Sequence, residues 1–386
     1  MRQPIIGRSL LLVFGATFGT TVSFYLLLSV VPLYATSVGA GQVGAGLSTG
    51  VLMFATVAAE LVTPALLGRL GYRVVLAAGL VLLGAPALLL PSSDNMIGIL
   101  TVSAVRGVGF AIAVVVGSAL VASIAPPERR GETLGLYGVV VGIPAIVALP
   151  LGVLLVNAVG YPTVFVAGAV AALVGLVAVP GLPGRGPRRP GVEQPVGILA
   201  ALRSASLLRP SIVFSTVAMA AGVIVTFLPL ALSNASENLA ELGLLVQATA
   251  STITRWWAGR HGDRHGSAGL LVPATLVSAV GILALVIGTN AFVVLAGMLL
   301  FGAGFGVAQN ASLSLMFERV SSTSYGSVSA LWNLAYDLGL GVGATAFGIV
   351  ASGTSYPVAF ALTAVVMLAA LVPAWQDRSS AASSEA

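Results

Sequence analysis

Residues 64–71, PALLGRLG, and residues 259–266, GRHGDRHG, are two versions of one stretch set 195 positions apart. Pro64, Gly68, Arg69 and Gly71 of the first stand opposite Gly259, Asp263, Arg264 and Gly266 of the second. The same offset carries Gly107, Gly109 and Phe110 onto Gly302, Gly304 and Phe305, and Gly131 onto Gly326. It also carries Tyr161, Pro162 and Phe165 onto Tyr356, Pro357 and Phe360. A register kept over about a hundred residues marks a duplicated unit, so the 386 residues divide into two similar halves.

The duplicated unit is a membrane unit. Hydrophobic residues make up 58% of the chain, charged residues only 8%, and the mean hydropathy is +1.05. A soluble domain carries roughly 25% charged residues, so this chain lacks the polar side chains to cover a water-facing surface. Apolar runs long enough to cross a bilayer recur twelve times, at residues 10–34, 43–67, 73–91, 96–124, 132–156, 161–181, 210–232, 240–258, 268–288, 291–317, 325–350 and 356–375. Lipid cannot hydrogen-bond to the backbone, and runs of this length without strict alternation predict helices rather than barrel strands. The first span exceeds the apolar core of a cleaved signal, about 7–15 residues, and is expected to be retained. The expected architecture is an all-α membrane protein of twelve transmembrane helices in two pseudo-symmetric six-helix halves.

All seventeen basic residues are Arg. With both termini on the cytoplasmic side, fifteen of them, from Arg2 and Arg8 to Arg319 and Arg378, fall on inner loops and ends, Arg106 and Arg255 fall within spans, and none falls on an outer loop. The net charge of +5 is thus a topology signal, and no basic soluble face exists to take nucleic acid. Without Lys there is no P-loop lysine, which excludes ATP use through such a loop. Without Cys there are no disulfides or thiolate metal sites. His261 and His265 have metal-pair spacing but are expected in the short loop between the eighth and ninth spans, as loop polarity. The Arg-only basic set and the Ala, Gly and Val content fit a GC-rich bacterial source, and the expected location is the bacterial cytoplasmic membrane.

Between the sixth and seventh spans, Pro183, Pro187, Pro190 and Pro195 with five Arg interrupt the apolar pattern, which predicts an inner linker. The expected division is 1–181 for the first half, 182–209 for the linker and 210–386 for the second half with a short tail. Residues 196–208 read equally as an amphipathic surface helix or an unstructured tether. Two small-residue pairs, Gly138 with Gly142 and Gly339 with Gly343, give the fifth and eleventh spans seams for close helix packing.

These residues resemble the major facilitator superfamily over nearly the whole chain, in particular twelve-helix bacterial drug:proton antiporters. The family pattern G-x-x-x-D-R-x-G is complete as Gly259, Asp263, Arg264 and Gly266, whereas the first copy has Gly68 in place of the usual Asp, before Arg69. Arg106 followed by Gly107, Val108, Gly109 and Phe110 is similar to the family's buried-arginine motif. Pro144, Ala148, Leu149, Pro150 and Gly152 are a worn version of its Gly-Pro efflux motif. The resemblance implies helices 1, 4, 7 and 10 around a cavity, helices 5 and 11 at the boundary between halves, and gating by Arg69, Asp263 and Arg264.

Four ionisable residues fall well inside the spans, each costing roughly 2.5–3.5 kcal/mol at the bilayer centre, so each calls for a reason. Asp337 and Arg106 lie near mid-depth, and Glu60 and Arg255 lie nearer the inner face. A carboxyl in hydrocarbon favours its neutral form, while a nearby Arg favours the carboxylate, so Asp337 is the first candidate proton carrier and Glu60 the second. Arg106 is expected as their tuning counter-charge or as a contact for an anionic substrate group. Arg255 is expected to pair with Glu132 as an inner gate. Each of these residues has a plain alternative as a structural ion pair or helix contact. Cavity candidates are Arg106, Tyr25, Thr21, Gln309, Asn310, Asn333, Trp332 and Tyr336. The charges sit where the repeat fails: Gly68 against Asp263, Glu60 against Arg255, Gly142 against Asp337 and Arg106 against Phe301.

The expected function is secondary active transport by alternating access, as proton-coupled efflux of small organic or amphipathic compounds, driven by the proton gradient with no cofactor and no metal. The alternative is a proton-coupled carrier of one metabolite, a sugar, siderophore or lipid. An intramembrane enzyme would need a nucleophile, base or metal set, which two His and scattered charges do not supply. The expected partners are a small molecule and the bilayer, and the protein is expected to be a monomer.

Overall fold

The computed structural model describes residues 7–124, 130–184, 203–233, 238–287, 290–320 and 324–377, and among them there is no strand. The chain forms two compact units, Met1–Arg189 and Pro190–Ala386.

In the first unit, α1 (Arg8–Leu28) and α2 (Val30–Ser37) form the first crossing. Pro32 explains the break between them, because it withholds the N–H that the Leu28 carbonyl would accept. Then come α3 (Gly41–Leu70), α4 (Tyr72–Gly84) with a 3-10 extension (Ala85–Ser92), α5 (Met96–Ile124) and α6 (Arg130–Val174) with a 3-10 extension (Gly175–Gly181). The 46 residues of 136–181 would measure about 69 Å as one straight helix, more than twice the hydrocarbon thickness. They cross twice, turning at Gly160 (φ 77°, ψ 166°).

The second unit holds α7 (Ala205–Ala231), α8 (Leu239–His265), a 3-10 turn (Ala268–Leu270), α9 (Leu271–Ala284), α10 (Ala291–Glu318), α11 (Tyr325–Gly353) and α12 (Tyr356–Ala369). Among the described residues, nine helical stretches are long and apolar enough to span a membrane. One of these is the double crossing 136–181, and α8 with residues 268–284 completes the twelve. The linker expected at 182–209 lies mostly outside the described residues, and its last residues, from Ala205, already belong to α7.

The duplication is a duplication of backbone contacts. A Cβ on Gly107 of α5 would run into the Leu52 carbonyl of α3, and one on Gly302 of α10 would run into the Gln247 carbonyl of α8. A Cβ on Gly109 would come within 2.7 Å of the Gly79 carbonyl, and one on Gly304 within 2.5 Å of the Ala274 carbonyl. Both partners are displaced by the same 195 positions as the glycines. The two stretches that reveal the repeat both end a helix: Gly71 has φ 79° and ψ 171°, and Gly266 has φ 79° and ψ 150°. Only glycine adopts this region without strain, so a Gly is required there in both copies.

One sequence expectation changes here. His261 and His265 belong to the last turns of α8 rather than to a loop, because the helix runs on until Gly266 stops it. The Gly339–Gly343 seam of α11 packs within its own unit, where Cβ atoms would meet the Ser215 and Met219 carbonyls of α7. Around Gly138 and Gly142, by contrast, nothing lies within 4 Å of an added Cβ among the described residues.

Candidate functional site

Arg106 is the largest fully buried side chain of the first unit, 1% exposed. It projects from α5 into the space enclosed with α1 and α4, where Nε donates to the Leu83 carbonyl at 3.3 Å and Nη2 to the Ser23 carbonyl at 3.4 Å. Among the described residues Nη1 has no hydrogen-bond partner, and neither do the buried hydroxyls of Ser23 and Ser103. Ser103 stands one turn before Arg106 on α5, on the same face. Burying a guanidinium while leaving an N–H unmatched costs more than a typical hydrogen bond returns, so the group is held at the expense of stability. Beside it Phe24 of α1 stacks on Phe110 of α5 with ring centroids 3.7 Å apart. Thr21 is buried and bonds back to the Thr17 and Phe18 carbonyls, which turns it toward its own helix. Tyr25 packs its ring edge-on to Phe24 at 5.1 Å.

The second unit gathers aromatic rings instead. Phe214 of α7 stacks on Trp332 of α11 at 4.6 Å and on Tyr336 at 5.9 Å, with interplanar angles of 9° and 13°. Phe305 of α10 closes the group, 6.3 Å from Tyr336 and 5.9 Å from Phe301. The Trp332 indole N–H donates to Ser312 Oγ at 2.9 Å, which fixes the ring plane. Asp337 follows on α11 and is buried, 6% exposed. Asn333, on the same helix, is exposed, while Gln309 and Asn310 are half-buried on α10. The Asn310 side chain lies against α8, 3.2 Å from where a Cβ on Gly259 would sit, and accepts from Ser314 Oγ at 3.4 Å.

Of the remaining predicted residues, Glu60 is half-buried on α3, and Arg69, Arg255 and Arg264 are exposed on the last turns of α3 and α8. Glu132 lies on α6 and Asp263 on α8, and their side chains fall outside the described residues. The sequence reading missed Asp377. Its side chain is 1% exposed, and Oδ1 takes Arg319 Nη1, just after α10, at 3.3 Å and Arg209 Nη1 of α7 at 3.8 Å. Arg319 also donates to the Ser206 carbonyl, so one carboxylate and one carbonyl tie together the ends of three helical stretches. The neighbouring Glu318 accepts from Ser267 Oγ at 2.9 Å, which adds the turn before α9. A carboxylate directly after an apolar span, in WQDR, was the available signal.

The family model described as Major Facilitator Superfamily matches residues 13–344. The chain belongs to the major facilitator superfamily. An uncharacterized MFS-type transporter of Methanocaldococcus jannaschii is 20% identical over 353 residues, covering 89% of this chain and 91% of its own. Among solved structures, a bacterial homolog of the human lysosomal transporter Spinster, inward-facing and occupied, superposes with a TM-score of 0.79 at 12% identity, covering 98% of each chain. The nucleoside transporter NupG, as a mutant, gives 0.76 at 13% identity, covering 96% of this chain and 99% of that one. At such identities these structures share the major facilitator fold of twelve helices in two halves. The protein is a multi-pass membrane protein and a secondary transporter, so a small-molecule substrate and the bilayer are its partners, and it is not an enzyme.

Proposed function

We propose that this superfamily member is a proton-coupled exporter of small organic, amphipathic and partly aromatic compounds, working by alternating access. The observation that carries the reading is Asp337, a carboxyl buried in an apolar helix directly after Tyr336 of a stack of aromatic rings. Exposure of this carboxyl to one side and then the other would let it take up a proton from one and release it to the other. Planar rings offer dispersion and hydrophobic surface to a substrate without demanding a hydrogen-bond pattern, which suits a broad amphipathic clientele. Arg106 supplies the opposing buried charge, Glu60 is a second acid, and Arg69, Arg255, Glu132, Asp263 and Arg264 act at the inner gate.

The transporter operates as a monomer in a bacterial cytoplasmic membrane with both termini inside and the proton gradient as its only energy source. One charge crossing 100 mV supplies about 2.3 kcal/mol, roughly a fifty-fold concentration ratio. A second reading, a carrier of one metabolite, draws on the likeness to the nucleoside transporter NupG. Proteoliposomes separate the two. An imposed proton gradient is expected to drive accumulation of several unrelated amphipathic dyes, and Asp337→Asn to lower gradient-driven flux at least about 100-fold, some 2.7 kcal/mol. Flux unaffected by the gradient and by Asp337→Asn would sink the coupling model, and transport of a single compound class would favour the metabolite carrier.

A further inference from the structure

The last turns of α8 carry two side-chain ladders of which the transport reading uses only Arg264. Trp256, Arg260 and Arg264 are spaced four apart on one face, and Trp257, His261 and His265 repeat the spacing on the adjoining face. The Arg260 guanidinium lies over the Trp256 ring, 4.4 Å from its centroid. The Trp257 and His261 rings are 5.0 Å apart, and those of His261 and His265 are 4.5 Å apart. These are not core residues: Trp256 is 62% exposed, Trp257 47%, and Arg260 and Arg264 are exposed as well. Neither arginine pairs with a carboxylate among the described residues.

Depth turns the ladders into a site. Counting from Leu239 at 1.5 Å per residue, Trp256 lies about 26 Å along α8, and Arg260 and Arg264 about 32 and 38 Å. A hydrocarbon layer about 30 Å thick that began at Leu239 would end between the indoles and the guanidiniums. Trp is favoured at that edge, and Arg beyond it meets the headgroups. The geometry points to a binding site for the phosphate of an anionic phospholipid at the end of α8 that the arginine distribution assigns to the cytoplasmic leaflet. In this site the indoles would cover the upper acyl chain, Arg260, whose guanidinium lies over the Trp256 ring, would meet the phosphate, and Arg264 would add a second guanidinium one turn on. A guanidinium fork matches phosphate oxygens two at a time, which an ammonium does not. The fold does not demand the ladders, since the equivalent positions on α3 are Leu61, Ala65 and Arg69 on one face and Val62, Leu66 and Leu70 on the other.

Native mass spectrometry of the full-length protein in detergent, offered phosphatidylglycerol or phosphatidylcholine, tests the site. Wild type is expected to retain the anionic lipid at least about tenfold better, and the Arg260→Gln/Arg264→Gln pair to erase that preference. Arg260→Lys/Arg264→Lys, which keeps the charge and removes the fork, is expected to fall between the two, and Trp256→Leu to weaken retention severalfold. Equal retention of both lipids by wild type, or undiminished preference in the Gln pair, overturns the proposal. Release of the lipid by millimolar inorganic phosphate would instead assign the site to a free anion.

Discussion

The two halves put opposite side chains at equivalent points of one scaffold. At position 106 the first half buries a guanidinium, and at the equivalent position 301 the second buries a phenyl ring; both are sealed, 1% and 0% exposed. At position 142 the first half has a glycine on which a Cβ would meet nothing within 4 Å among the described residues, and at 337 the second has a buried carboxyl. Tyr137 and Trp332 also correspond. A Cβ on Gly117 would meet the Tyr137 hydroxyl at 3.2 Å, whereas at the matching position Ser312 takes the Trp332 N–H. The difference teaches that the repeat conserves where backbones touch and leaves the polar interior free to diverge.

Exchanging the two buried residues breaks the comparison hardest. Arg106→Phe is expected to fold, since the other half holds Phe in the same place, but to lose at least about 100-fold in flux, about 2.7 kcal/mol. The reverse change, Phe301→Arg, buries a charge among rings and costs roughly 2.5–3.5 kcal/mol or more, visible as lost monodisperse protein on size exclusion. Normal flux in Arg106→Phe would make the guanidinium a filler.

Next in size is Asp377→Ala, which strips the shared carboxylate from Arg209 and Arg319. Because the Arg209 side chain is 34% exposed and can return to water, the loss is set below that of a sealed ion pair, at about 2–3 kcal/mol in a detergent unfolding assay. A change under about 0.5 kcal/mol would mean that the carboxylate does not hold these helix ends together.

The glycine seams sharpen the contrast between α6 and α11. Gly343→Ala drives a methyl into the Met219 carbonyl and is expected to cost about 1–3 kcal/mol. Gly142→Ala meets nothing within 4 Å among the described residues and is expected to gain about 0.5–1 kcal/mol of helix stability. Equal effects on thermal unfolding would mean the two seams are packed alike. An effect as small is expected of Trp332→Phe, which keeps the stack on Phe214 and removes the indole bond to Ser312 Oγ, while Ser312 still donates to the Gln309 carbonyl, about 0.5–1 kcal/mol in the same assay.

Long-period features were legible in the chain. Apolar runs give the spans because lipid forces each into a helix, and the 195-residue offset gives the halves because close backbone approach admits only small residues at Gly107, Gly109, Gly302 and Gly304. Helix ends were less legible: GRHGDRHG is polar enough to look like a loop, yet it is helical up to Gly266. Arg106 and Asp337 stood out as charges in apolar runs, and Asp377 was signalled only by its place directly after an apolar span, whereas Ser23 and Ser103 carry no signal until their neighbours are known.

The sequence by itself determined that this is a duplicated, twelve-helix membrane protein and which positions break its symmetry, because hydropathy and small-residue spacing are local properties of a chain that must satisfy its backbone in lipid. Only the tertiary structure decided that Arg106 keeps an N–H unmatched between α1, α4 and α5, that Phe214 and Phe305 join Trp332 and Tyr336 in one stack, and that Asp377 gathers Arg209 and Arg319. Such partners come from helices far apart in the sequence, and their pairing depends on which helix faces meet.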